Sequence, residues 1–167
     1  TASDFADFDL FGSDVAISGD VVVIGAEFED HDTNNDGSDE LTVGAAYLFE
    51  RNQGGTDNWG EVKKLVAGDG AVLDVFGTSV GISGDLVVVG ASLEDHDTTK
   101  DGIDERDVGA AYIFSRNQGG SNNWGELRKL VAADGTARDT YGGAVAVSGK
   151  TVVVGSPNND NGNGADA

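Results

Sequence analysis

Phe11-Gly12-Ser13-Asp14-Val15-Ala16-Ile17-Ser18-Gly19-Asp20-Val21-Val22-Val23-Ile24-Gly25-Ala26 holds two strands, Val15-Ala16-Ile17 and Val21-Val22-Val23-Ile24, joined by the tight glycine turn Ser18-Gly19-Asp20. The stretch returns at 76–91 and again at 141–156, each time 65 positions later. Segment 11–75 aligns with 76–140 without a gap, and roughly two-thirds of the positions are unchanged. A fixed period of this length, built from strand-like pieces, predicts a blade, solenoid or array rather than a single enzyme core.

Working outward, a long polar loop follows the second strand. Val43-Gly44-Ala45-Ala46-Tyr47-Leu48-Phe49 then signals a third strand, and 59–66, weighted by Val62 and Leu65, a fourth. No window sustains helical periodicity, so the fold class is all-β, with four antiparallel strands in each repeat of about 65 residues. Glycine and alanine close the second strand (Gly25-Ala26, Gly90-Ala91) and open the third (Gly44-Ala45-Ala46, Gly109-Ala110-Ala111), which marks close backbone approach. A sheet with two apolar faces cannot bury both alone, so neighbouring repeats must cover them. A β-sandwich with duplicated halves is the competing architecture, but its halves seldom repeat without a gap.

Ala2, Asp4 and Asp9 precede Ala67, Asp69 and Asp74 by one period, which makes 1–10 the tail of a preceding unit. The organisation is then a first blade at 11–75, a second at 76–140 and the first half of a third at 141–167, about two and a half blades in all. The chain contains no methionine, so it is expected to be a processed product or a fragment.

Composition narrows the function. No apolar run is long enough to cross a bilayer, no N-terminal stretch has the shape of a signal peptide, and the absence of cysteine removes disulfide and thiol chemistry. The net charge of −20 repels phosphate backbones and anionic lipid, which argues against nucleic acid partners and membrane insertion.

The residues resemble the FG-GAP repeats of integrin α-subunit-like β-propellers, particularly the bacterial secreted form. Phe11-Gly12-Ser13-Asp14-Val15-Ala16, 21–26 and Gly44-Ala45-Ala46-Tyr47-Leu48-Phe49 carry the likeness in the first copy. Phe76-Gly77-Thr78-Ser79-Val80-Gly81, 86–91 and 109–114 carry it in the second, and Tyr141-Gly142 with Val152-Val153-Val154-Gly155-Ser156-Pro157 in the third. The resemblance implies four-stranded blades around an axis, an extracellular or cell-surface location, and adhesion or surface architecture rather than catalysis.

Much of the acidity sits in two loops at equivalent places. From Asp32, the first presents side-chain oxygens at Asp32, Asn34 and Asp36, then Gly37, then Asp39 and Glu40. The second repeats this with Asp97, Thr99, Asp101, Gly102, Asp104 and Glu105. Alternating oxygen ligands with a glycine to turn the chain can wrap a hard cation, and the expected cofactor is a structural Ca²⁺. The bland alternative is a solvated acidic loop. An EF-hand fits poorly, because its last ligand position falls on Val43 or Val108 and no helices flank the loop. The calcium motif of the integrin-type family lies before the strand ending in Gly-Ala, whereas this loop follows it, so the ligand roles rest on spacing. The shorter third loop receives no site.

His31 and His96 are expected to be solvated loop residues, since zinc wants more nitrogen or sulfur ligands. Trp59 and Trp124 read as blade-packing residues, with sugar stacking as the alternative. Tyr47, Phe49, Tyr112 and Phe114 should pack between blades, and 51–55 and 116–120 are turns. No nucleophile–base constellation recurs, so no catalytic residues are assigned and a non-enzyme is expected. The leading expectation is a calcium-stabilised adhesion or surface-scaffold segment. The alternatives are a self-assembling subunit of a fibre or surface lattice, and a carbohydrate-binding module. The partners these imply are other copies of the chain, further blades of a longer one, or a protein or glycan ligand.

Overall fold

Residues 2–4, 6–34, 37–100, 102 and 104–159 are described by a computed structural model. β1 (Phe11–Ser18) and β2 (Val21–Ala26) form a hairpin around Gly19-Asp20, and Gly19 takes φ 61°, a left-handed value that a primed two-residue turn reserves for glycine. β3 (Ala45–Glu50) pairs with β2 across the acidic loop, and β4 (Gly60–Leu65) pairs with β3. β5 (Phe76–Ser83), β6 (Leu86–Ala91), β7 (Ala110–Ser115) and β8 (Gly125–Leu130) repeat the arrangement, and β9 (Ala144–Ser148) pairs with β10 (Thr151–Gly155). The sheet orders β1-β2-β3-β4 and β5-β6-β7-β8 are simple antiparallel meanders, as expected for propeller-type blades. Against the sequence reading, the first strand starts earlier, at Phe11. The third starts later, at Ala45, and the fourth begins just after Trp59.

The two complete blades stack face to face. Val21, Val23, Ala46, Leu48 and Leu65 from the first meet Val80, Ile82, Val87, Val89, Tyr112, Phe114 and Trp124 from the second in one buried cluster. Period-two alternation puts these side chains on facing surfaces, and each buried Val, Leu, Ile or Phe contributes about 1.5–3 kcal/mol of transfer free energy. Phe76 seals the edge of the cluster, meeting Tyr112 and Phe114 edge-on at centroid distances of 5.5 and 6.0 Å. Polar links along the strands complement the apolar contact. Val80 N donates to Asp14 Oδ2 at 2.8 Å, and Gly84 N donates to Ser18 Oγ at 3.0 Å.

Small residues are required where the inner strands touch. A Cβ on Gly90 would lie 1.9 Å from the Gly142 carbonyl oxygen, and one on Gly25 would lie 2.1 Å from that of Gly77. Both contacts are to backbone of the following blade, which cannot move aside.

Candidate cation loops and the polar junction between blades

Each acidic loop is pinched at its base and tied from within. His31 bridges Glu40 in antiparallel fashion, and His96 bridges Glu105 in the same way. In the first loop Asp32 accepts from Asn34 N (3.2 Å) through Oδ1 and from Gly37 N (2.9 Å) through Oδ2. Glu40 Oε2 accepts from Thr33 N (2.6 Å) and Thr33 Oγ1 (2.9 Å), while its Oε1 accepts from Asn34 Nδ2 (2.8 Å). The second loop repeats the closure. Asp97 accepts from Lys100 N (2.5 Å) and Gly102 N (2.8 Å), and Glu105 accepts from Thr98 N (2.5 Å) and Thr98 Oγ1 (2.8 Å). Hydrogen bonds from the Thr98 backbone and hydroxyl, with a further one from Thr99, hold the Glu105 carboxyl below the ordinary glutamate range.

Of the ten residues expected as cation ligands, Asp36 and Asp101 lie outside the described residues. Asn34 links Asp32 to Glu40 in the first loop, whereas in the second Thr99 bonds Glu105 and Asp97 holds the backbone at Lys100 and Gly102. Asp39 and Asp104 line a neighbouring cavity instead. Among the described residues no three histidine, aspartate or glutamate side chains are grouped to hold a metal ion. The donor set of each loop is oxygen, which suits a hard cation, and its carboxylates are already turned towards backbone N–H groups.

The neighbouring cavity, missed in the sequence, occurs once per complete blade. It measures about 330 Å³ beside the first loop, where Asp4, Asp9, Glu29, His31 and Lys64 line it. Beside the second loop it measures about 430 Å³, lined by the equivalent Asp69, Asp74, Glu94, His96 and Lys129. Lys129 Nζ donates to Asp69 Oδ2 (2.7 Å) and Glu94 Oε1 (2.6 Å), while Tyr112 OH donates to Asp69 Oδ1 (2.8 Å). Lys64 makes the same pair of bonds to Asp4 and Glu29, and Tyr47 OH donates to Asp4. Burial works to raise the Asp69 carboxyl, but the bonds from Lys129 and Tyr112 hold it below its usual range. The same burial works against the Lys129 ammonium, which Asp69 and Glu94 nevertheless push up. Burial, then the bond to Asp69, raises the Tyr112 phenol.

The histidines depart from expectation. They are not solvated, for their side chains are 16% and 17% exposed. His31 Nδ1 donates to Glu29 Oε2 and His96 Nδ1 to Glu94 Oε2, each at 2.8 Å. A carboxylate only accepts, so Nδ1 carries the proton in both. Alternation around the loop entrance turns Glu29 and Glu94 inwards, and the buried glutamate draws the ring in after it. The Arg116 turn also does more than reverse the chain. Its guanidinium reaches Glu50 of the first blade at 2.5 Å and lies 4.5 Å over the buried Trp124 ring. The recurrence of Asp4 as Asp69, and of Lys64 as Lys129, was the available signal for the polar cavity.

No helix among the described residues is long and apolar enough to cross a membrane. No curated protein matches the sequence. The FG-GAP repeat family model matches at residues 1–49, 59–114 and 124–167, which takes in most of the chain and all three copies of the repeat. This protein therefore belongs to the FG-GAP repeat family, as an all-β chain of propeller-type blades.

Proposed function

We propose that the chain is a calcium-stabilised, non-catalytic segment of an extracellular adhesion or surface-scaffold propeller. The observation that carries the reading is the shared closure of two acidic loops one period apart. Asp32 and Asp97 gather the loop backbone, while Glu40 and Glu105 clamp its entrance. Ca²⁺ bound among these oxygens would neutralise carboxylates that repel one another and order a long loop, with Asp32, Asn34 and Glu40 holding it in one copy and Asp97, Thr99 and Glu105 in the other. Asp39 and Asp104, directed at the cavity, would adjust its charge rather than ligate. The family membership supports adhesion and surface display, where free calcium is plentiful.

The test is thermal melting in millimolar Ca²⁺ and in chelator. A site filled to about a hundred times its Kd adds about 2.7 kcal/mol, which raises Tm by several degrees. The paired variant Asp32→Ala with Asp97→Ala should lose most of that rise. Superimposable melts of the unaltered chain would end the calcium reading.

A second reading, a self-assembling structural subunit, is favoured by the outer face of the first blade. Val15, Ile17 and Trp59 are 61%, 64% and 40% exposed there, whereas their counterparts Val80, Ile82 and Trp124 are buried against a neighbouring blade. Light scattering distinguishes the two, since stacking through this face would give open-ended particles. Sugar binding has less support, because one of the two tryptophans it would use is buried in the blade interface.

A further inference from the structure

Asp74 ends the segment that joins the first blade to the second. Its neighbours on both sides are tied to the first blade's loop, with Leu73 N donating to Leu41 O (3.2 Å) and Val75 N to Thr42 O (3.3 Å). Asp74 is 4% exposed and lines the cavity of the second blade. Glu94, also 4% exposed, faces it from just after β6, together with Asp95, His96 and, from the far side of the loop, Asp104. Lys129 faces it from β8 and Asp69 from its own segment. The donors are already engaged: Lys129 with Asp69 and Glu94, His96 with Glu94. Among the described residues no ion pair reaches Asp74, which accepts from Ala71 N at 2.8 Å.

The third copy meets the same problem with different residues. Asp139, one period on, is 1% exposed and accepts from Thr136 N (2.8 Å) in the same geometry. Thr136 stands where Ala71 was, and its hydroxyl donates to Asp139 Oδ1 at 3.0 Å. Asn159 stands where Glu94 was, and its Nδ2 donates to Asp139 Oδ2 at 3.3 Å. Two side-chain donors thus serve a buried carboxylate in the third copy, where the second copy offers an alanine and another carboxylate.

We propose that Asp74 is a proton-binding latch between the first two blades, closed with a neutral carboxyl and loosened when that carboxyl ionises against Glu94. Burial, and then the charges of Glu94 and Asp95, raise its pKa to about 7 despite the Ala71 N–H and the charge of Lys129. The sign follows. A carboxyl raised from 3.8 to about 7 in the fold contributes fully below pH 4, and its contribution is lost as pH climbs through 7.

The test is melting of the whole chain in chelator at pH 5.5 and pH 8.0, so that loop cations play no part. The unaltered chain should melt about 3–6 °C lower at pH 8.0. Asp74→Asn should remove most of that difference, chiefly by melting higher than the unaltered chain at pH 8.0. The exchange Ala71→Thr with Glu94→Asn, which copies the third junction, should also flatten the profile. His96→Gln reports any share from the imidazole. Retention of the whole difference by Asp74→Asn overturns the proposal. Should that variant fail to fold, the carboxyl carbon of Asp74 can be titrated by NMR in the unaltered protein. A midpoint near 7 supports the latch, and one below 5 overturns it.

Discussion

The first and second blades carry nearly the same sequence in the same register, yet their corresponding residues live in different surroundings. Val80 and Ile82 of β5 are 4% and 8% exposed, whereas Val15 and Ile17 of β1 are 61% and 64% exposed. Hydrogen-bond ladders match strand for strand, so the difference owes nothing to secondary structure. It comes from what lies alongside. The stability of such a chain resides largely at blade junctions, and a residue's energetic weight is assigned by its neighbour rather than by its type.

That comparison can be broken most severely at the inner strands. Gly90→Val would drive a side chain into the Gly142 carbonyl, and we expect loss of the cooperative melt between the second and third units. The equivalent pair of tryptophans gives the next largest effect. Trp124→Ala should cost about 3–5 kcal/mol in denaturant melts, and Trp59→Ala less than about 1. Acrylamide should correspondingly quench Trp59 and spare Trp124, and equal quenching would contradict the stacking. Ile82→Ala should cost about 2–4 kcal/mol against about 0.5 for Ile17→Ala, read from urea midpoints. The smallest contrast is electrostatic. Arg116 joins two blades through Glu50, whereas among the described residues Arg51 pairs with exposed Asp20 of the β1–β2 turn and exposed Asp57 of its own turn, both within the first blade. Arg116→Ala should therefore lose about 1 kcal/mol and Arg51→Ala almost nothing, with only the former reduced by salt-independent loss of ring stacking.

A further contrast is set by acid. Asp69, held below the normal aspartate range chiefly against burial by Lys129 and Tyr112, contributes stability that is present above pH 4 and lost as the solution becomes more acidic. Melting temperature should fall on that side of the profile, and Lys129→Gln should shift the acid limb towards higher pH.

The architecture was legible because its signals are local and repeated. Val-Val-Val-Ile-Gly-Ala after Ser-Gly-Asp specifies a hairpin whatever surrounds it, and three copies in register leave little choice of topology. The polar cavity was not legible. Its members come from three segments, with Asp69 before the second blade, Glu94 after β6 and Lys129 on β8, and no window of sequence holds them together. Period counting placed Asp4, Asp69 and Asp9, Asp74 in register without revealing what they face. The histidines misled for a related reason: a Glu-Asp-His-Asp run looks solvated, but its first residue is the one that turns inwards. The acidic loops were only half legible, since spacing grouped Asp39 with Glu40 while Glu40 pairs with His31 at the loop base and Asp39 lines the neighbouring cavity.

Near-identical repeats also present the folding chain with a choice of partners. β2 could pair with β7 almost as well as with β3, because both edges read Ala-Ala-Tyr followed by an aliphatic residue and Phe. The correct partner is separated by the acidic loop alone, the wrong one by an entire blade more. Closing the longer span costs roughly 1.3 kcal/mol extra at about 0.6 kcal/mol per doubling of length. The bridge between His31 and Glu40 widens that margin, because once it forms the two correct strands are only a few residues from meeting. A loop closed in this way would favour the correct pairing during folding, so refolding yields of variants with a lengthened loop should fall before their equilibrium stability does.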